Sequence, residues 1–332
     1  MVDPKLICLT PCRNEAWVID IHLKAASLWA DHIIVGDQMS DDGTREIVAR
    51  YAKAILVDNH AQGYDEGERH RVVFEAARGI PGPKIFLAID SDEILSANWS
   101  VSEEWRALKQ LPPGTAIYAE WANVCPDFQR WWPMGGPFII GYVDDGKIGY
   151  FPGKFQVPRL LPPKDGLKFY FREIKLLHLQ YTDVRRSQSK RYGYQVQEWI
   201  EKPRRPLRLF RRFHPMESLS PSNFQHLKPA WTEGFKGFNW KGISIDGIYR
   251  WDREVTHAIA LHGPEFFRRL DIWDADWAHI AEKCGVTGSK NGFADPRSVW
   301  EKIVFHFLRR TQRWQSNPIV RGIQQLLRLF GW

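Results

Sequence analysis

Lys84-Ile85-Phe86-Leu87-Ala88-Ile89-Asp90-Ser91-Asp92-Glu93 is a short, almost wholly apolar run that stops abruptly in three acids. An apolar run of this length, with no polar alternation, reads as a strand of a parallel sheet covered on both faces. Three earlier runs repeat it: Leu6-Ile7-Cys8-Leu9-Thr10, His32-Ile33-Ile34-Val35-Gly36-Asp37 and Ala54-Ile55-Leu56-Val57-Asp58. Helical stretches follow them, over about Glu15 to Ala30, up to about Ala52, and over Asp65 to Arg78. Such alternation specifies βαβ units. Runs closing on Thr10, Asp37, Asp58 and Asp90 gather polar groups at the carboxyl edge of the sheet, where open parallel sheets bind ligands. Period-2 geometry places Asp90 and Asp92 on one face and Glu93 on the other. Two converging carboxylates repel, and a hard divalent cation that also takes diphosphate oxygens relieves them.

Beyond residue 95 the pattern changes. Thr115 to Val124 reads as one further strand, and Phe138 to Tyr142 with Lys147 to Phe151 as a hairpin around Asp144-Asp145-Gly146. From His178 the chain is helical, rich in tryptophan and broken by prolines. It ends in two amphipathic helices either side of Asn317-Pro318. Trp300, Ile303, Val304 and Phe307 line one face of the first; Ile319, Ile323, Leu326, Leu327 and Phe330 line one face of the second. The expected organisation is an α/β domain over residues 1–180 and a basic helical region over 181–332.

Composition narrows the function classes. Of 332 residues 44% are hydrophobic and 26% charged, enough apolar content for a large core. No stretch approaches the ~20 apolar residues of a membrane span, and no secretory signal is read at the N-terminus. Cys8, Cys12, Cys125 and Cys284 are too scattered for a disulfide framework or a zinc site, so a reducing, cytoplasmic setting is expected. Residues 1–180 hold 20 Lys+Arg against 24 Asp+Glu; residues 181–332 hold 26 against 15, so the basic surplus lies in the second half. It is densest in Lys202–Arg212 and Arg297–Trp332. This favours an anionic partner such as a membrane surface or a phosphorylated lipid or sugar. The basic segments carry no nucleic-acid-binding motif, and no nucleic-acid partner is expected.

Four segments, LICLTPCRNE, HIIVGDQMSDDGT, GYDEGERHRVVFEAAR and KIFLAIDSDE, stand in an order that resembles family 2 glycosyltransferases of the GT-A fold. The resemblance is close over about residues 5–95 and loose over 115–195. It implies a Rossmann-like, mostly parallel sheet and an inverting, nucleotide-sugar-dependent hexosyltransferase that uses Mn2+ or Mg2+. It also implies nucleotide contacts from the loop Pro11, Arg13 and Glu15, from Asp37, from Arg69 or Arg71, and from Asp90. Asp92 and the late His178 are the implied metal ligands. Arg13 and Glu15 also suit a charge pair at a helix start.

Inversion needs a general base on the acceptor side. Asp127 and Glu173 are the candidates, neither in a family motif. Trp131 or Trp132 would stack on an acceptor sugar, with core packing as the competing use of an aromatic in a chain of 16 tryptophans. Processive synthases of the family carry Gln-x-x-Arg-Trp and membrane spans. Gln129-Arg130-Trp131 has the wrong spacing, so single-sugar transfer is the expectation, from a UDP-sugar by family frequency, to a glycan or lipid-diphosphate-linked acceptor. The terminal helices suit either an anionic membrane face or packing within the protein. The rivals are a sugar-phosphate nucleotidyltransferase, which should show a Gly-rich basic loop where TPCRNE stands, and a catalytically silent carbohydrate-binding scaffold.

Overall fold

The computed structural model describes residues 3–61, 63, 65–147, 158–162, 164–201, 205–235, 237–239, 247–288 and 290–332. It divides into two compact units, Met1–Thr182 with Gln225–Ser244, and Asp183–Phe224 with Ile245–Trp332.

The first unit opens with β1 (Lys5–Cys12), α1 (Ile19–Ser27), β2 (His32–Asp37), α2 (Thr44–Val48), β3 (Ala54–Asp58), α3 (Glu66–Arg78) and β4 (Lys84–Ala88). It continues through β5 (Glu93–Leu95), α4 (Glu103–Leu108), β6 (Ala116–Ala119), β7 (Trp121–Val124) and β8 (Arg130–Pro133). β9 (Phe138–Val143), β10 (Lys168–Tyr170), β11 (Leu176–His178) and β12 (Gln225–His226) complete it. β10-β6-β9-β4-β1-β2-β3 form a seven-stranded sheet and β12-β8-β7-β11-β5 a five-stranded one. In the first, β4, β1, β2 and β3 run parallel and β9 enters antiparallel between β4 and β6. The expected α/β class, with a mostly parallel sheet flanked by helices and a helical C-terminal part, is what the chain adopts.

Local chemistry explains where the elements begin. Residues 14–16 do not enter the first helix. Asn14 takes a left-handed φ of 56°, and the Asn14, Glu15 and Ala16 amides donate to Ser40 Oγ, Thr44 Oγ1 and Asp42 Oδ2. Polar side chains after β2 thus satisfy the N–H groups that a helix start would leave open. Arg13 and Glu15 accordingly sit in the loop before α1, where the Glu15 carbonyl accepts from the Val18 and Ile19 amides. α3 starts where its cap dictates, with Asp65 accepting from the Glu68 amide. The strand expected over 115–124 is two strands in different sheets, with Glu120 at the switch, its carbonyl accepting from the Leu176 amide. Most of the second strand of the expected hairpin, Lys147–Phe151, and Lys202 and Arg204 of the first basic segment lie outside the described residues.

The second unit is helical: α5 (Val184–Glu201), α6 (Pro206–Phe213), α7 (Arg250–His262), α8 (Trp277–Lys283), α9 (Val299–Arg310) and α10 (Pro318–Leu329). Tyr192, Val196, Val255, Ile259 and Trp277 anchor one buried cluster, and Phe210, Phe305, Leu308 and Leu327 a second. Gly193 permits the approach of α5 to α7, since a Cβ there would stand 2.6 Å from Trp251 Cδ1. Among the described residues no helix is long and apolar enough to cross a membrane.

Candidate active site

β4 ends at Ala88, two residues before the first acid. The chain then turns: the Glu93 amide donates to the Asp90 carbonyl (3.0 Å), and the Asp90 amide to Glu93 Oε2 (3.0 Å). Period-2 alternation therefore does not govern the acids, and Glu93 is not displayed on an opposite face. It begins β5 in the second sheet, fully buried, opposite His178 of antiparallel β11.

A buried arginine that the sequence reading did not single out organises the turn. Arg159 places Nη1 2.7 Å from Glu93 Oε2 and 2.9 Å from the Ala88 carbonyl, and Nη2 2.6 Å from Glu93 Oε1 and 2.8 Å from Asp90 Oδ2. Trp121 Nε1 donates to Glu93 Oε1 (2.6 Å), and its ring stacks on His178 at 5.4 Å. Burial pushes the Glu93 carboxyl up, to about 7, against the Arg159 charge and the hydrogen bonds that favour its ionised form. For Asp90, burial is outweighed by Arg159 and His70, and its carboxyl is held below the ordinary range. Burial drives the His70 imidazole down to about 4, so it is neutral at pH 7. His22, buried beside the turn, bridges Thr10 Oγ1 (2.8 Å) and the Glu93 carbonyl (2.8 Å), tying β1 to β5.

Asp92 and His178 meet at the other side of the turn. His178 Nε2 lies 3.9 Å from Asp92 Oδ1, and the Leu179 amide donates to the Asp92 carbonyl. Asn123 Nδ2 donates to the Trp132 carbonyl (3.2 Å), which turns Asn123 Oδ1 toward His178 Nδ1 (2.8 Å). That carbonyl-type oxygen can only accept, so Nδ1 carries a proton, and Nε2 is the nitrogen that faces Asp92. Two donors sharing one small divalent ion stand about 3 to 4 Å apart, because each lies at about 2.1 Å from it. At 3.9 Å the Asp92–His178 separation stands at the wide end of that range, and the hydrogen-bonded second nitrogen is what metal-bound histidines generally have. Among the described residues no three His, Cys, Asp or Glu side chains group as a metal site.

The remaining expected residues are placed as follows. Pro11 is buried in β1, in register with Gly36. Arg13 is half-buried, and its Nε has no hydrogen-bond partner among the described residues. Glu15 is buried and accepts from Trp17 Nε1 (2.7 Å). The Asp37 side chain has no exposed surface. It accepts from Ser40 Oγ, the Ser40 amide and Arg45 Nη1, and so orders the loop after β2. The charge of Arg69 bears on Asp90 and on the Cys12 thiol, whereas Arg71 is held by Glu68 and Glu75 of its own helix.

Three expectations are corrected. Asp127 closes the β7–β8 turn, accepting from the Gln129 and Arg130 amides and from Arg130 Nε (2.6 Å). Although its partial burial acts upward, those hydrogen bonds and the arginine charge lower its pKa, which makes it a weaker base. Glu173 is exposed in the loop before β11. Its amide donates to the Glu104 carboxylate, in a bend that precedes β11, whose last residue is His178. Trp131 and Trp132 are buried at 8% and 1% exposure, against Trp231 and Tyr181, because β8 is covered by the segment that contains β12. They are core residues and form no wall for a sugar.

No protein-family model matches the chain, and no curated protein matches it. Among solved structures, mannosyl-3-phosphoglycerate synthase from Rubrobacter xylanophilus is 16% identical, covering 37% of this chain and 41% of its own, at a TM-score of 0.28. 4-Diphosphocytidyl-2C-methyl-D-erythritol synthase is 12% identical, over 49% of this chain and 75% of that one, at 0.27. HddC from Yersinia pseudotuberculosis is 10% identical, over 51% and 90%, at 0.31. This chain thus spans about two fifths of the length of the first. Likenesses of this size are partial, and the chemistry assigned to this site rests on its own residues.

Proposed function

We propose that the chain is an inverting glycosyltransferase of the GT-A type. In this reading it moves one sugar from a nucleoside-diphosphate sugar, a UDP-sugar being favoured, to a glycan or lipid-diphosphate-linked acceptor. The observation that carries the reading is the meeting of Asp92 with the Asn123-oriented His178, next to an Asp90 fixed by Arg159, at the carboxyl edge of a parallel sheet. Asp92 and His178 would hold Mn2+ or Mg2+, which when bound neutralises charge on the departing nucleoside diphosphate. Asp90 accepts hydrogen bonds from the ribose, its free direction set by the arginine on its other side. Arg69, whose charge bears on Asp90, and Arg13, in the loop after β1, would supply guanidinium groups whose fork suits phosphate oxygens. Asn123 keeps the His178 proton on Nδ1. Trp121 covers His178 on one face and keeps water from it.

The test is to incubate the protein with a panel of nucleoside-diphosphate sugars, with and without Mn2+, and measure nucleoside diphosphate release. Metal-dependent release from one donor, lost in Asp92→Ala, supports the reading. Pyrophosphate release from a nucleoside triphosphate and a sugar 1-phosphate would replace it with nucleotidyl transfer. Neither activity under any condition would favour a silent binding protein.

A further inference from the structure

The two terminal helices each carry two apolar faces, and the second unit uses only one of each. Val304, Phe305 and Leu308 of α9 and Leu327 of α10 join Leu207 and Phe210 in a buried cluster. That packing leaves Val299, Trp300 and Ile303 exposed on a different side of α9, Val299 at 76%. At 100° per residue these three occupy an arc of about 100° that also contains Arg310. On α10, Ile319 (74%), Ile323, Leu326 and Phe330 are exposed within about 60° of one another, with Leu329 (80%) beside them. Trp314, in the connection between the helices, is exposed as well.

Charge decides what covers these faces. Arg297–Trp332 holds seven basic residues and one acid. The acid, Glu301, is buried at 3%, capping α9 and pairing with Arg268, so it does not offset the outer surface. Arg297, Lys302 and Arg309 pair with Asp271, Asp274 or Asp295, whereas Arg310, Arg313, Arg321 and Arg328 are exposed and carry the outer positive charge. A second copy would bring the same positive surface against itself. Large apolar side chains on convex helices, with tryptophan and arginine among them, match the interfacial layer of a bilayer, where rings sit at headgroup level and guanidinium groups reach phosphates. We propose that α9 and α10 seat the protein on a membrane surface rich in anionic lipid, by way of Trp300, Ile303, Ile319, Leu326 and Phe330. This seat is independent of the transferase reading.

The experiment is sedimentation of the full-length protein with vesicles of phosphatidylcholine alone, or with about one third phosphatidylglycerol, at low and high salt. The expected result is binding to the anionic vesicles only, weakened by salt. Arg310→Gln with Arg313→Gln should lower the partition coefficient about 25-fold, at about fivefold per charge. Ile303→Gln with Ile319→Gln and Leu326→Gln should lower it by about a hundredfold or more. These substitutions are all on the surface, and the wild-type comparison of the two vesicle types needs no variant. Absent or equal wild-type binding to the two vesicle types, or unchanged binding by the apolar triple variant, overturns the proposal. So does a vesicle-free dimer that the triple variant abolishes, which would assign the faces to a second copy.

Discussion

Arg159 is the residue on which the acidic turn depends. Its guanidinium touches two carboxylates and a carbonyl while only 7% of the residue is exposed. Removing one partner of a buried pair leaves charge without compensation. Arg159→Leu should therefore cost about 3 to 5 kcal/mol in urea unfolding at pH 7, far more than an exposed arginine. A loss below 1 kcal/mol would mean that the turn holds without it. Nothing near Val157-Pro158-Arg159-Leu160 in the sequence signals this role, because the partners lie 69 and 66 residues away and meet only through the fold. Asp90 and Asp92 could be singled out because acids after an apolar strand are a local signal, whereas His178 came only from the family resemblance; the structure brings Asp92 and His178 together, and the chemistry given to them is the proposal. The role of Glu93 was not legible, because alternation was extended past the point where β4 stops. Trp131 and Trp132 show the same limit from the other side: an aromatic pair reads alike whether it faces a ligand or a second layer of chain.

At the scale of elements, the first four strands were readable because each is a short apolar run with a polar end, and their parallel pairing follows from the helices between them. The second half of the first unit was not, since β6 and β7 join without a turn signal and pass into different sheets. β9 enters between β4 and β6 at Gly141, where a Cβ would stand 2.5 Å from Leu87 Cδ2 and 2.6 Å from the Phe86 carbonyl oxygen. A side-chain methyl can shift, but a strand carbonyl in register cannot. Gly141→Ala should cost about 2 kcal/mol by urea unfolding, whereas alanine at Gly136, with nothing within 4 Å, should cost far less.

Over the whole molecule, acid stability should follow a cluster in the second unit. His214 Nε2 lies 2.8 Å from Asp271 Oδ2, and Arg309 Nη2 contacts Asp271 Oδ1. Burial pushes the Asp271 carboxyl up, but the hydrogen bond and charge of His214, with Arg309, bring it down to about 2. A folded-state pKa below the unfolded value of about 3.9 contributes stability that is full above that value and lost as pH falls toward 2, roughly 2 to 3 kcal/mol. Urea unfolding at pH 5 and pH 2.5 should show about 1.5 to 2 kcal/mol of that loss in the wild type and a shallower one in Asp271→Asn. Equal slopes would remove Asp271 as its source. The central claim concerns the other unit: that Asp92 and His178 hold a divalent ion carrying a nucleoside diphosphate, with Asn123 setting the histidine. Calorimetric titration of a nucleoside-diphosphate panel, with and without Mn2+, tests it most directly in wild type, Asp92→Ala and Asn123→Ala. One nucleotide should bind tightly only with metal, Asp92→Ala should lose that dependence, and Asn123→Ala should weaken it by about 10- to 100-fold. Binding that is indifferent to metal in all three proteins, or no nucleotide binding at all, would contradict it.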